Sequence, residues 1–283
     1  MPVRTERRST AAVSVVTLCS APRVSHVRNQ LAGLAAGHPA TRTVVWMGDD
    51  EPADLDAERI IRLPPGEHGL RLAAARNAGA SVAIADGADL LVFLDADCVP
   101  GAHMLGRYRA ASAAHPDAVL CGPVTYLPAG TDAADQDTLA ALTSPHPARP
   151  NPPDGEVLIA SASEYPLFWS LSFALTAETW TRTGGFHDGY EGYGAEDTDF
   201  AFSLRRDGVP LVWVGGAHAY HQHHPTTSPP WQHLDDILRN GSLFAARWGG
   251  WPMTGWLNAF AEAGAVHWDG AQWRRTPDAA HSA

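Results

Sequence analysis

The sequence has little that would staple or anchor it. Three cysteines, Cys19, Cys98 and Cys121, are spread over 283 residues with no CxxC pair. That excludes a disulfide framework and points to a reducing, cytoplasmic setting with buried free thiols. No apolar run approaches the roughly 20 residues of a spanning helix, which excludes a membrane bundle and any membrane span. Positive charge is scarce: Lys and Arg total 20 against 31 Asp and Glu, a formal net charge of −11. Such a chain binds phosphate backbones poorly and is not expected to take nucleic acid, although a local basic cleft can still hold one nucleotide. No Gly-x-Gly-x-x-Gly follows the first strand-like run; Ser20-Ala21-Pro22-Arg23 stands there instead, which disfavours a dinucleotide dehydrogenase. Arg4, Arg7 and Arg8 ahead of the apolar run 11–18 look like a leader only superficially. The run is short and β-branched, and reads as a buried first strand.

What is present is globular: 45% hydrophobic and 18% charged residues, with 26 Gly and 22 Pro that imply many turns and some long loops. The length sits near the upper limit of a single core, so one main domain over residues 1–228 with a helical C-terminal extension over 229–283 is expected. Strand patterns at 12–19, 43–47, 59–63, 89–94, 118–127, 167–176 and 211–214 alternate with helical ones at 26–36, 70–85, 101–114, 177–183 and 196–207. This is an α/β pattern, a sheet wrapped by helices, in which ligands bind beyond the carboxyl ends of the strands. Between 128 and 164 the pattern fades. Pro145, Pro147, Pro150, Pro152 and Pro153 crowd His146 and Arg149, as in a flap near a site or a surface insertion. From Trp231 the chain reads as helical, with Leu234, Ile237, Leu238, Phe244 and Trp248 in register.

Three constellations carry chemistry. The apolar run Leu90–Leu94 delivers Asp95 and Asp97 at its end, and paired carboxylates there suit a hard divalent cation that shares its coordination with phosphates. Strand-ending, helix-capping Asp residues would look the same. The glycine-rich stretch from Gly184 ends in Glu196-Asp197-Thr198-Asp199, where a helix N-terminus stabilises carboxylates and an ionised Asp near a bound hydroxyl can act as general base. At least one of these acids is expected only to cap the helix. Finally, His218, His221, His223 and His224 fall within seven residues. Imidazole added to carboxylates favours an ion such as Mn²⁺, and a solvated loop is the bland alternative for any single one of them.

In this order the three elements resemble the GT-A glycosyltransferases, and most closely family-two-like enzymes with a galactosyltransferase-type C-terminal segment, over residues 12–225. The resemblance implies a GT-A nucleotide-diphospho-sugar transferase fold, a Rossmann-like mixed sheet flanked by helices. It also implies a hexosyltransferase that moves a sugar from a nucleotide-diphosphate donor, UDP by preference, to an acceptor hydroxyl, with Mn²⁺ or Mg²⁺ as cofactor. Asp95 and Asp97 would bind metal and nucleotide, completed by His221 or, second, His223. Ser20, Arg76 and Asn77 would touch the nucleotide, and Asp49 or Asp50 the uracil. Glu196 would orient the donor sugar, Trp169 stack on a sugar face, and Asp197 deprotonate the acceptor with inversion. The chain departs from the family in having Tyr193-Gly194-Ala195-Glu196 for Trp-Gly-Gly-Glu, and His187 for an acid. The acceptor class, glycan, small molecule or peptide, stays open. Two other readings compete: a zinc hydrolase built on the histidines, and a nucleotide-sugar-binding protein without transfer.

Overall fold

A computed structural model describes residues 11–37 and 40–277; Arg4, Arg7 and Arg8 lie outside the described residues. The β-branched run Val13–Cys19 forms β1, buried along its whole length, and Ala21–Arg23 turns the chain into α1, Val24–Gly37. Then come β2 (Thr41–Trp46), β3 (Arg59–Arg62), α2 (Leu72–Ala85), β4 (Leu90–Leu94), β5 (Cys98–Pro100) and α3 (Met104–Ala114). The middle of the chain contributes β6 (Val119–Cys121), β7 (Val124–Tyr126), α4 (Gln136–Ala141), β8 (Val157–Ile159), β9 (Ser172–Thr176), α5 (Ala177–Thr183) and α6 (Glu196–Arg206). β10 (Leu211–Val214), β11 (Ala219–His221), α7 (Leu234–Trp248), α8 (Thr254–Glu262), β12 (Val266–Trp268) and β13 (Trp273–Arg275) follow.

The main sheet has eight strands in the order β3-β2-β1-β4-β9-β6-β10-β8. Its first four strands are parallel, β9 runs antiparallel to both β4 and β6, and β8 is antiparallel to β10. This is the mixed sheet that the resemblance implies. β4 shows why its run is apolar throughout. Leu90, Val92 and Leu94 pack towards α1 and α3, while Leu91 and Phe93 pack towards α2, α5 and α6, so both faces are covered. On the second face Phe93 stacks on Phe173 at 4.5 Å and Phe186 on Phe200 at 4.3 Å. α2 lies so close to the sheet that a Cβ at Gly79 would come within 2.4 Å of Val16.

The structure corrects the strand expected over 118–127. A Cβ at Gly122 would lie 1.9 Å from the carbonyl oxygen of Ala217, and Pro123 has no N–H to offer a ladder. The chain therefore leaves the main sheet there, and β7 joins a second sheet in the order β5-β11-β7. The fading stretch 128–164 holds α4 and β8. Beyond Trp231 the single helical pattern is two helices separated at Gly249, with a β12-β13 hairpin after them. Leu234 and Ile237 of α7 and Leu257 and Phe260 of α8 build a separate small core. Among the described residues no helix is long and apolar enough to cross a membrane.

Candidate active site

Past Leu94, residues Asp95, Ala96 and Asp97 turn the chain into β5. β5 pairs antiparallel with β11 so that His221 stands opposite Cys98, and the N–H of Gln222 donates to the carbonyl of Asp97 at 2.6 Å. That register carries His221 Nε2 to 3.4 Å from Asp97 Oδ1. The chain then curls back and sets His224 Nε2 3.2 Å from Asp97 Oδ2. Ligating atoms of Asp97, His221 and His224 all lie within 4.8 Å of one another. Burial would raise the Asp97 carboxyl, but the contact with His224 and the charges of His221 and Arg23 outweigh it and hold Asp97 below its ordinary range. Burial lowers His221, against the pull of Asp97, and so favours the form with a free lone pair. One carboxylate and two imidazoles make a mixed oxygen and nitrogen donor set of the kind that transition-metal dications accept.

A second group of charges adjoins the first. Arg76, on α2 and only 2% exposed, donates from Nη2 to Asp95 Oδ1 at 2.9 Å and from Nη1 to Glu196 Oε1 at 3.4 Å. Glu196 and Asp197 open α6, which follows Ala195 at φ 75°. Burial drives the Asp95 carboxyl up to about 6, against the pull of Arg76 and with the push of Asp97 and Asp197. Glu196 is pushed up to about 7 by burial and then by Asp197, and burial likewise raises Asp197. The Tyr193 phenol is pushed up to about 12 by burial, followed by the charges of Asp197 and Glu196, with Tyr126 and Asp97 adding to them. Arg76 thus ties the acid that follows β4 to the pair that opens α6.

The loop that delivers the acids is fastened from α7. The Asn240 side-chain amide donates to the carbonyls of Glu191, Tyr193 and Gly194 at 3.0, 3.1 and 3.0 Å. Asp199 is consumed structurally, accepting from Tyr190 at 2.9 Å, Trp248 at 2.8 Å and Arg247 at 2.6 Å.

The remaining candidates are placed as follows. Ser20 follows β1, its carbonyl accepting from the N–H of Arg23 at 2.8 Å. Asp49 and Asp50 lie past β2, with Asp50 accepting from Trp46 Nε1 at 3.1 Å and both backbone carbonyls taken by Arg62. Asn77 is occupied at both ends of its amide: it donates to the Phe186 carbonyl at 2.8 Å and accepts from the Phe186 N–H at 2.9 Å, stapling α2 to the glycine-rich loop. Trp169 is half-buried, its ring 5.0 Å from that of His146. His218 is tied to Thr125 at 2.7 Å. His223 does not join Asp97; it is exposed and borders a cleft with Ser25, His26 and Asn29. His224, not the second choice His223, stands beside Asp97 and His221, because β11 ends at His221 and the chain curls back after it. Arg23 was also missed, as nothing local distinguishes it. The four-histidine run is the signal that contained His224.

Residues 159–225 match the family described as the N-terminal domain of galactosyltransferase. The chain is 28% identical over 235 residues to validoxylamine A glucosyltransferase of Streptomyces hygroscopicus subsp. limoneus, covering 71% of this chain and 51% of that protein. It thus spans about half the length of the curated relative it matches. The fold superposes on GalNAc-T7, crystallised with UDP, GalNAc and Mn²⁺, at TM-score 0.57 and 16% identity, over 85% of this chain and 48% of that one. It superposes on S. aureus TarS 1–349 in complex with UDP-GlcNAc at TM-score 0.59 and 14% identity, over 83% and 66% of the two chains. The chain thus shares the fold of these two transferases, and its 159–225 segment is similar to the N-terminal domain of galactosyltransferase.

Proposed function

We propose that the protein transfers a hexosyl group from a UDP-sugar to an acceptor hydroxyl with inversion at the anomeric carbon. Residues 1–228 would be the catalytic domain, with 229–283 packed on it, in a cytoplasmic setting that suits three buried free thiols. The observation that carries the reading is Arg76, bridging Asp95 and Glu196 beside the Asp97–His221–His224 cluster. The UDP-GlcNAc of the TarS complex, and the UDP, GalNAc and Mn²⁺ of the GalNAc-T7 structure, support it by analogy.

Asp97, His221 and His224 would hold a divalent cation, which when bound supplies positive charge against the leaving diphosphate. Arg76 adds a second positive charge, and Asp95 orients it. Glu196 accepts hydrogen bonds from donor-sugar hydroxyls. Asp197, whose burial makes it a stronger base than a solvated carboxylate, takes the acceptor proton. The acceptor oxygen bonds to the anomeric carbon as the carbon–oxygen bond to the diphosphate breaks, and that electron pair leaves with UDP. One displacement with one base gives inversion.

A thermal-shift panel of nucleotide sugars with and without Mn²⁺ tests binding, because a ligand of the native state alone raises its melting temperature. NMR of the product then reads the anomeric configuration. A retained configuration, or no Mn²⁺-dependent shift with any UDP-sugar, sinks the proposal. The competing reading as a zinc hydrolase draws on the same cluster, since three protein ligands leave a fourth zinc position open. Zinc in the purified protein together with nucleotide-independent hydrolysis would favour it. Donor binding without transfer to any acceptor would favour a binding protein.

A further inference from the structure

An aromatic row beside the cation cluster has no part in the steps above. β7 lies parallel to β11 with Tyr126 in register with His221, so the Tyr126 ring rests against the His221 imidazole at 4.6 Å. Tyr126 meets His146 at 5.8 Å, and His146 meets Trp169 at 5.0 Å. The row is open to solvent: Tyr126 is 49% exposed, and His146 and Trp169 are half-buried. The backbone N–H of His146 donates to the Val124 carbonyl at 3.0 Å, and that of Arg149 to the His146 carbonyl at 3.2 Å. The proline-rich segment is thereby tied to β7.

Behind the row stands Arg149. It is 6% exposed, and among the described residues its three guanidinium nitrogens meet no oxygen or nitrogen acceptor, the Cys121 thiol being the polar group beside them. Its guanidinium lies 5.5 Å from the Trp169 ring and 5.1 Å from the Trp213 ring. The neighbouring Cys121 thiol, pushed up to about 12 by burial, supplies no negative charge. A buried cation without an anion is costly, and contacts with aromatic faces return only part of that cost. Lying between the Trp169 and Trp213 rings, the guanidinium packs against the Trp169 indole from the buried side.

Position tells which substrate meets this row. Ser20, Asp49 and Asp50 follow β1 and β2, on one side of β4. Trp169 precedes β9, and Tyr126 ends β7, which continues from β6; both β9 and β6 lie on the other side of β4. A nucleotide reaching from the cation cluster towards β1 and β2 leaves the aromatic row to the second substrate. The row pairs ring faces with a phenol, an imidazole and an indole N–H, which suits a ring with an apolar face and a polar rim. We propose that Tyr126, His146 and Trp169 form the acceptor wall and take a six-membered polyhydroxylated ring, pyranose or cyclitol, with Arg149 as a positioning residue for Trp169. This rests on the sugar-transfer reading and moves Trp169 from the donor to the acceptor.

The test offers the protein UDP-sugar and Mn²⁺ with methyl pyranosides, inositols, phenols and a Ser/Thr peptide as acceptors, alongside donor hydrolysis by water. Transfer to a pyranoside or inositol is expected. Tyr126→Ala and Arg149→Met should raise its KM at least 10-fold while donor KM moves less than 2-fold. Trp169→Phe should retain most of the affinity that Trp169→Ala loses. An unchanged acceptor KM in folded Tyr126→Ala and Trp169→Ala, a rise confined to donor KM, or transfer to phenols or peptide alone overturns the acceptor wall, as does donor hydrolysis with no ring acceptor used. A wild-type protein that consumes no UDP-sugar under any condition fails at the transfer reading itself, and the wall falls with it.

Discussion

Arg76 reaches Glu196 across 120 residues of sequence, with 3.4 Å between Nη1 and Oε1. Its other terminal nitrogen holds Asp95 at 2.9 Å. One buried guanidinium thus couples the acids after β4 to the pair that opens α6, and the predictions below probe the parts of that assembly.

Asp197→Asn keeps shape and removes the base. Turnover is expected to fall by about 10²–10⁴-fold while Mn²⁺-dependent donor binding persists. Steady-state kinetics beside calorimetric titration with UDP-sugar separates the two, and wild-type turnover in the variant would remove Asp197 from the mechanism.

His224 and His223 differ by one position and are expected to differ sharply in effect. His224→Ala should weaken Mn²⁺ binding in the presence of UDP by more than about 10-fold, by analogy with the cost of disturbing even the outer partners of a metal site. His223→Ala should leave it within a factor of two. Titration with MnCl₂ reads both, and the reverse ranking would return His223 to the cluster.

Glu196 makes stability depend on pH. Its carboxyl, ordinarily at 4.5, is raised to about 7 in the folded protein, so the unfolded chain ionises first as pH rises. The contribution of the protonated form is full below about pH 4.5 and is lost as pH climbs through about 7. Arg76, Asp197 and Asp95 surround the group and share in the transition. Glu196→Gln should flatten this slope in metal-free protein and melt about 3 °C or more above wild type at pH 8, with a smaller gap at pH 5. Parallel melting curves across that range would refute it.

Asn240→Ala removes the amide shared by three loop carbonyls. A loss of about 1–3 kcal/mol in urea unfolding is expected, with a lower kcat because the loop that aims Glu196 and Asp197 is released. An unchanged denaturation midpoint and kcat would show that the loop holds itself.

Much of this was legible locally. β4 announces itself by five apolar residues and then two acids, and α6 by a glycine-rich lead followed by acids, since both signals lie within one element and its flank. The distinction between His223 and His224 was not legible. The resemblance ranks His221 first and His223 second, and only the pairing of β11 with β5 shows that the strand stops at His221. The break between β6 and β7 rests on Gly122 against Ala217, a contact between distant segments. Asn77 reads as a nucleotide contact beside Arg76, yet its amide is committed to Phe186. The row from Tyr126 to Trp169 exists only through the registers of two sheets, and no local spacing encodes it.

Ala195 holds φ 75°, a left-handed setting that an L side chain adopts at a penalty of about 1–2 kcal/mol. Its methyl, buried at 2% exposure, denies the peptide the wide range of headings that glycine would allow. The backbone that enters α6 and carries the two carboxylates therefore starts from one fixed heading.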